Sequence, residues 1–138
     1  MNMYEVALLH AQSDRALRAL VAERLSGMDI TMMEWLLLGV VAGGKSSGMT
    51  MSEIAAALHV TLPQVTALVN KLLPLKLIKQ KSASTDRRSR VVTMTSKGQL
   101  ALSDANKTLD TAMKDWFGSA SKEQEAYTTV LKKLADSV

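Results

Sequence analysis

Thr50-Met51-Ser52-Glu53-Ile54-Ala55-Ala56-Ala57-Leu58-His59-Val60-Thr61-Leu62-Pro63-Gln64-Val65-Thr66-Ala67-Leu68-Val69-Asn70-Lys71-Leu72, residues 50–72, decides the fold. Thr50-x-x-Glu53 and Thr61-x-x-Gln64 fit the capping box, in which a hydroxyl accepts from the third helical N–H and the Glu or Gln reaches back. Each box has a hydrophobic staple, Met49 with Ile54 and Val60 with Val65. Helices are therefore predicted near 51–58 and 62–73, close enough to form a helix-turn-helix. Ala55, Leu58, Val65, Leu68, Val69 and Leu72 fall on an inward face, which leaves Pro63, Gln64, Thr66, Ala67, Asn70 and Lys71 outward. His59 sits in the turn, where a positive φ is often needed and His tolerates it better than most residues.

The segment C-terminal to this helical pair gives it its chemistry. Residues 77–81 and 90–95 are rich in Leu, Ile, Val and Thr around the polar Ser82 to Ser89, and read as an antiparallel hairpin. Between 71 and 97 lie Lys71, Lys76, Lys79, Lys81, Arg87, Arg88, Arg90 and Lys97, opposed only by Asp86. The whole chain has 17 Lys and Arg against 13 Asp and Glu, so the remainder carries 9 against 12 and is mildly acidic. The positive charge is local, as expected of a surface that meets phosphate backbones.

The rest of the chain is a helical scaffold. Thr31-x-x-Glu34 and Ser121-x-x-Gln124 repeat the capping box, and Ile30 with Trp35 repeats the staple, so further helices are predicted near 3–25, 31–43, 96–117 and 121–136. With 138 residues, 47% hydrophobic, the chain is long enough to bury one core without disulfides or metals. Cysteine is absent, which removes thiol redox sensing and thiolate ligands and suits a reducing cytosol. The start Met1-Asn2-Met3-Tyr4-Glu5 has no basic region leading into an apolar run, so no signal peptide is expected, and the apolar stretch Leu36 to Ala42 is too short to span a bilayer. Catalysis reads poorly. His10 and His59 stand apart without metal-ligand spacing, and Gly43-Gly44-Lys45-Ser46-Ser47-Gly48 lacks the first Gly and the spacing of a phosphate-binding loop. No cofactor is implied.

The order helix-turn-helix, strand, basic tip, strand, long helix describes a winged helix. Ser52-Glu53-Ile54-Ala55, Val65-Thr66-x-Leu68-Val69-Asn70-Lys71-Leu72, and Asp86-Arg87-Arg88-Ser89-Arg90-Val91-Val92-Thr93-Met94-Thr95-Ser96-Lys97-Gly98 together resemble the multiple-antibiotic-resistance regulator (MarR) family of bacterial transcription factors. The Asp-x-Arg wing and the hydrophobic-Thr-x-x-Gly strand end are the most diagnostic pieces, and the likeness extends over nearly the whole chain. It implies a mainly α (α+β) fold, a winged helix-turn-helix with long N- and C-terminal dimerisation helices. One domain, 1–138, is expected, with 1–30 and 100–138 forming the dimer body and 31–98 the winged helix-turn-helix.

The function implied is that of a homodimeric, sequence-specific DNA-binding regulator, a repressor acting on palindromic operators in the bacterial cytoplasm and releasable by a small aromatic or phenolic effector. The alternative is a winged helix used for protein contacts without DNA. Thr61, Pro63, Gln64, Thr66, Asn70 and Lys71 are the candidate DNA-contacting residues of the recognition helix, and Arg87, Arg88 and Arg90 those of the wing, with Asp86 orienting Arg88. Gln64 and Asn70 can each grip an adenine edge with two hydrogen bonds.

Three positions depart from the family pattern: Ala67 replaces an Arg common beside the helix Thr, Lys76 stands at a usual Gly, and Pro74 precedes it. Pro74 disfavours a helical residue at 73 and suggests an early helix end. Helix 1 carries Tyr4, Val6, Leu8, Leu9, Leu17, Leu20 and Val21 over more than one face, which suggests a partner surface. Met28, Met32, Met33, Trp35 and His10 read first as core packing, with His10, Met32 and Trp35 the candidate lining of an effector pocket.

Overall fold

The computed structural model describes residues 1–82, 90–118 and 121–138. Its helices begin where a side chain takes up an N–H that the first turn leaves without a partner. α1 (Met3–Leu25) starts on an Asn2–Glu5 capping box, a signal of the same kind with Asn in place of Thr. Thr31 with Glu34 opens α2 (Met32–Gly43), and Thr61 with Gln64 opens α4 (Leu62–Leu72). α3 (Met51–Leu58) has half a box: Thr50 accepts from the Glu53 N–H, but its hydroxyl then donates to the Glu53 carboxylate. Thr95 caps α5 (Ser96–Phe117) through the Gly98 N–H at 2.9 Å. α6 (Ser121–Asp136) begins at Ser121, whose side chain, and with it the expected box, lies outside what the structure describes; the Gln124 amide donates to Met113 Sδ at 3.3 Å.

α2 lies at the centre and packs against α1, α3, α4, α5 and the sheet. Its mostly apolar sequence is what a surrounded helix requires. Leu25, Leu37, Leu38, Ile54, Val65, Val69, Leu72 and Val92 are fully buried there. Each such aliphatic side chain contributes about 1.5–3 kcal/mol of transfer free energy, so this cluster anchors the helical pair to the rest. The predicted inward face of α4 is inward. The turn is as expected too: His59 closes α3 in the left-handed region, φ 54 and ψ 44.

The hairpin strands β2 (Ile78–Ser82) and β3 (Arg90–Met94) pair antiparallel from Ile78 opposite Met94 to Ser82 opposite Arg90. A third strand, β1 (Met49–Thr50), joins the other edge of β3. Two residues are too few for a sequence pattern. Gly48 makes the approach possible, since its φ is +103 and a Cβ there would lie 2.9 Å from the Val92 carbonyl oxygen.

The exit from α4 is the part most tightly tied down. Three successive carbonyls are each satisfied from the start of α5: Leu75 by Lys97 Nζ (3.1 Å), Lys76 by the Thr95 hydroxyl (2.7 Å) and Leu77 by the Thr95 N–H (3.1 Å). Lys76 itself is left-handed, φ 59, which accounts for glycine being usual there. α4 ends at Leu72, one residue before the predicted end. Leu73 nonetheless keeps helical dihedrals before Pro74, because its N–H still reaches the Val69 carbonyl at 2.9 Å.

Candidate nucleic-acid interface

Val65, Val69 and Leu72 fix one side of α4 in the core, so the opposite side must meet solvent. Pro63, Gln64, Thr66, Ala67, Asn70 and Lys71 are all exposed, as expected from the spacing, and so is the capping Thr61. Thr66 and Asn70 open, with Arg90 of β3, onto one groove of about 250 Å³ whose other walls include Thr50, Ser52 and Gln80. The topology thus joins the recognition helix and the base of the wing across the sheet. Thr50 and Ser52 escaped the sequence reading as lining because only the two-residue β1 and its pairing with β3 bring them here, and Gln80 because the register that sets it opposite Val92 was not read.

Charge is disposed in the same place. Lys71, Lys79, Lys81 and Arg90 are exposed, and the ion pairs among the described residues lie elsewhere, at Arg18–Asp14 (2.9 Å) and Arg24–Asp115 (4.0 Å). Asp86, Arg87 and Arg88, the expected wing tip, lie outside the described residues.

Hydrogen-bond accounting separates the polar candidates. The Gln64 carbonyl oxygen accepts from both the Thr61 N–H (2.9 Å) and the Thr61 hydroxyl (3.1 Å), which fills its two lone pairs. A two-bond grip on adenine needs that oxygen, so Gln64 can make one only with the box open, and opening it costs about 0.5–2 kcal/mol. The Thr61 hydroxyl is spent on the same box, donating to the Gln64 side chain and accepting from its N–H at 3.4 Å. Thr66 donates to the Leu62 carbonyl at 3.1 Å, which leaves it an acceptor and a methyl group. Asn70 makes no side-chain hydrogen bond among the described residues, so none of these engages its donor or its acceptor. Thr61→Ala should lower stability by about 1 kcal/mol, read as a shift of the urea midpoint with unchanged slope. An unmoved midpoint would show that the box contributes nothing.

The expected effector lining is only partly assembled. Trp35 lines a mainly apolar cavity of about 250 Å³ between α1, α2, α5 and α6, with Leu17, Leu109, Met113, Trp116 and Tyr127 among its neighbours. Its indole N–H donates to Asn106 at 2.9 Å. Met32 packs against the core instead, and His10 is exposed on α1, away from this lining. Both departures have one cause, the central place of α2: the side of its first turn that carries Met32 turns to the core, and the first half of α1 extends past it.

Residues 28–89 match the model of the MarR family. No curated protein matches the chain by sequence. Among solved structures, S. aureus MepR in complex with DNA is 25% identical, with a TM-score of 0.81 over 96% of this chain and 97% of that one. A mutant of E. coli MarR complexed with operator DNA is 18% identical, with a TM-score of 0.83 over 97% and 99%. CouR from Rhodococcus jostii RHA1, bound to p-coumaroyl-CoA, is 19% identical, with a TM-score of 0.83 over 94% and 91%. The described residues share the winged-helix fold of these structures.

Proposed function

We propose, from a chain whose residues 28–89 carry the MarR-family winged helix, that the protein is a sequence-specific DNA-binding transcription regulator. One observation carries this reading. The solvent face of α4 and Arg90 open onto a common groove within the one strongly basic region of the chain, which offers hydrogen-bonding groups to base edges and cations to phosphates. The DNA complexes of MepR and MarR, which share the fold, support it. α4 enters the major groove, and Arg87, Arg88 and Arg90 enter the flanking minor groove with the wing, with Asp86 orienting Arg88.

Residues 1–30 and 100–138 form the body of a homodimer, while 31–98 make the DNA-binding lobe of a single domain. Two lobes related by a two-fold axis read a near-palindromic operator, and occupancy represses transcription in the cytoplasm. The cavity beside Trp35 suits a small aromatic effector by size and lining, and CouR with its p-coumaroyl-CoA supports an effector in this fold.

Anisotropy titrations of the full chain against labelled duplex DNA at rising salt test the reading. Affinity should fall steeply as salt rises, because cations on the protein displace counterions from the duplex. Lys71→Ala should weaken binding to all sequences about evenly and lower the salt slope by about one. Salt-insensitive or undetectable binding would overturn the DNA reading in favour of a protein-contact module.

A further inference from the structure

Pro63, Ala67 and Asn70 stand at i, i+4 and i+7, and so do Val65, Val69 and Leu72, which are buried. The two sets are offset by two residues, about 200° around the helix, so Pro63, Ala67 and Asn70 form the crest of α4 farthest from the core. Two of these three present only carbon. Asn70 alone on the crest can exchange hydrogen bonds, and its amide makes none among the described residues, while the flanking Gln64 has committed its oxygen to Thr61. Asn70 also lines the groove that Arg90 enters, so a cation stands beside it to hold the duplex backbone.

We propose that Asn70 is the specificity-determining residue of each recognition helix and that it reads an adenine, with Ala67 and Pro63 meeting the methyl groups of adjacent thymines. The proposal rests on the DNA-binding reading above and adds the base composition to it. In the major groove adenine offers an N6 donor beside an N7 acceptor, which an asparagine amide matches with two hydrogen bonds. Thymine is the base with a methyl at the groove edge, the partner that the Ala67 methyl and the Pro63 ring accept without leaving a polar group bare. A guanine under this crest meets two acceptors where the amide supplies one donor hand. The half-site core is therefore A·T.

Selection of bound sequences from random duplex DNA by the full chain supplies the probe, and affinities are then measured on the selected duplex. The expected half-site contains an A·T run. Asn70→Ala should weaken binding to it about 5–150-fold and flatten the preference at one base pair per half-site. Replacing that adenine by 7-deazaadenine should reproduce part of the loss for the unmodified protein and add nothing to the variant's. Uracil in place of the neighbouring thymine should cost about fourfold, the worth of one methyl group. Gln64→Ala should keep the base preferences. A profile that survives Asn70→Ala and flattens with Gln64→Ala overturns the proposal while DNA binding stands. Failure of the unmodified protein to bind any duplex removes the DNA-binding reading itself, and the proposal with it.

Discussion

Gly98→Ala is expected to lower the thermal unfolding midpoint by roughly 4–14 °C, the largest loss of stability from adding one methyl group at any glycine of the winged helix. A Cβ at position 98 would overlap the Leu77 carbonyl oxygen and crowd its carbon at 2.9 Å. Both are backbone atoms, so no rotamer change relieves the clash. That oxygen also accepts the Thr95 N–H at 3.1 Å, so moving it strains the clasp on the α4 exit. Forcing a methyl into a packed site costs about 1–3 kcal/mol, and a disturbed hydrogen bond adds about 1 kcal/mol. Alanine returns about 0.5–1 kcal/mol of helix propensity, leaving a net loss of about 1–3.5 kcal/mol from a total of about 5–15 kcal/mol. Circular dichroism at a fixed protomer concentration reads the midpoint. A midpoint that holds or rises would mean that α5 and Leu77 stand farther apart in solution than this contact requires.

That contact shows what the sequence could and could not convey. Thr95-Ser96-Lys97-Gly98 was legible as the end of a wing, because a capping Thr and a nearby Gly are local signals. Why the Gly is required was not legible, since Leu77 lies on another element and only the sheet register brings it in. The helix starts at Thr31 and Thr61 were equally local, and the structure forms both boxes. Ser121-x-x-Gln124 has the same letters, and Gln124 also finds Met113 of α5, a tertiary partner no spacing rule contains. The outward face of α4 could be read from periodicity, but the split between Gln64 and Asn70 needed the hydrogen-bond partners. His10 failed for a related reason. It was grouped with Met28, Met32, Met33 and Trp35 as possible lining, whereas it stands exposed on the first half of α1, where no residue is buried among the described ones.

Charging that exposed surface is expected to abolish operator recognition with the winged helix untouched. In α1 only Val21 and Leu25 are buried, while Tyr4, Val6, Leu8 and Leu9 are 73%, 46%, 43% and 49% exposed. Val130 and Leu134 of α6 are 56% and 53% exposed. A helical half this apolar gains little from its own propensity and needs a second surface to hold it, and the proposed homodimer supplies one. Leu9→Asp combined with Leu134→Asp places two carboxylates in that interface. Neither leucine is in the core cluster, so the protomer should stay folded. Light scattering should then change from twice the 15.0 kDa of one chain to a single chain. Two joined recognition helices, set roughly 34–36 Å apart to match one duplex turn, bind as one event, and separating them forfeits about 10²–10⁴ in affinity for a palindrome. Binding to an isolated half-site should remain as weak as before. Truncation after Gly118 should act in the same direction, and its product should aggregate through the uncovered Trp116 and α1. If the doubly charged variant binds the palindrome as tightly as the unmodified chain, or if the unmodified chain is a stable monomer at micromolar concentration, then the helices at both ends are not a dimer body and each lobe reads DNA alone.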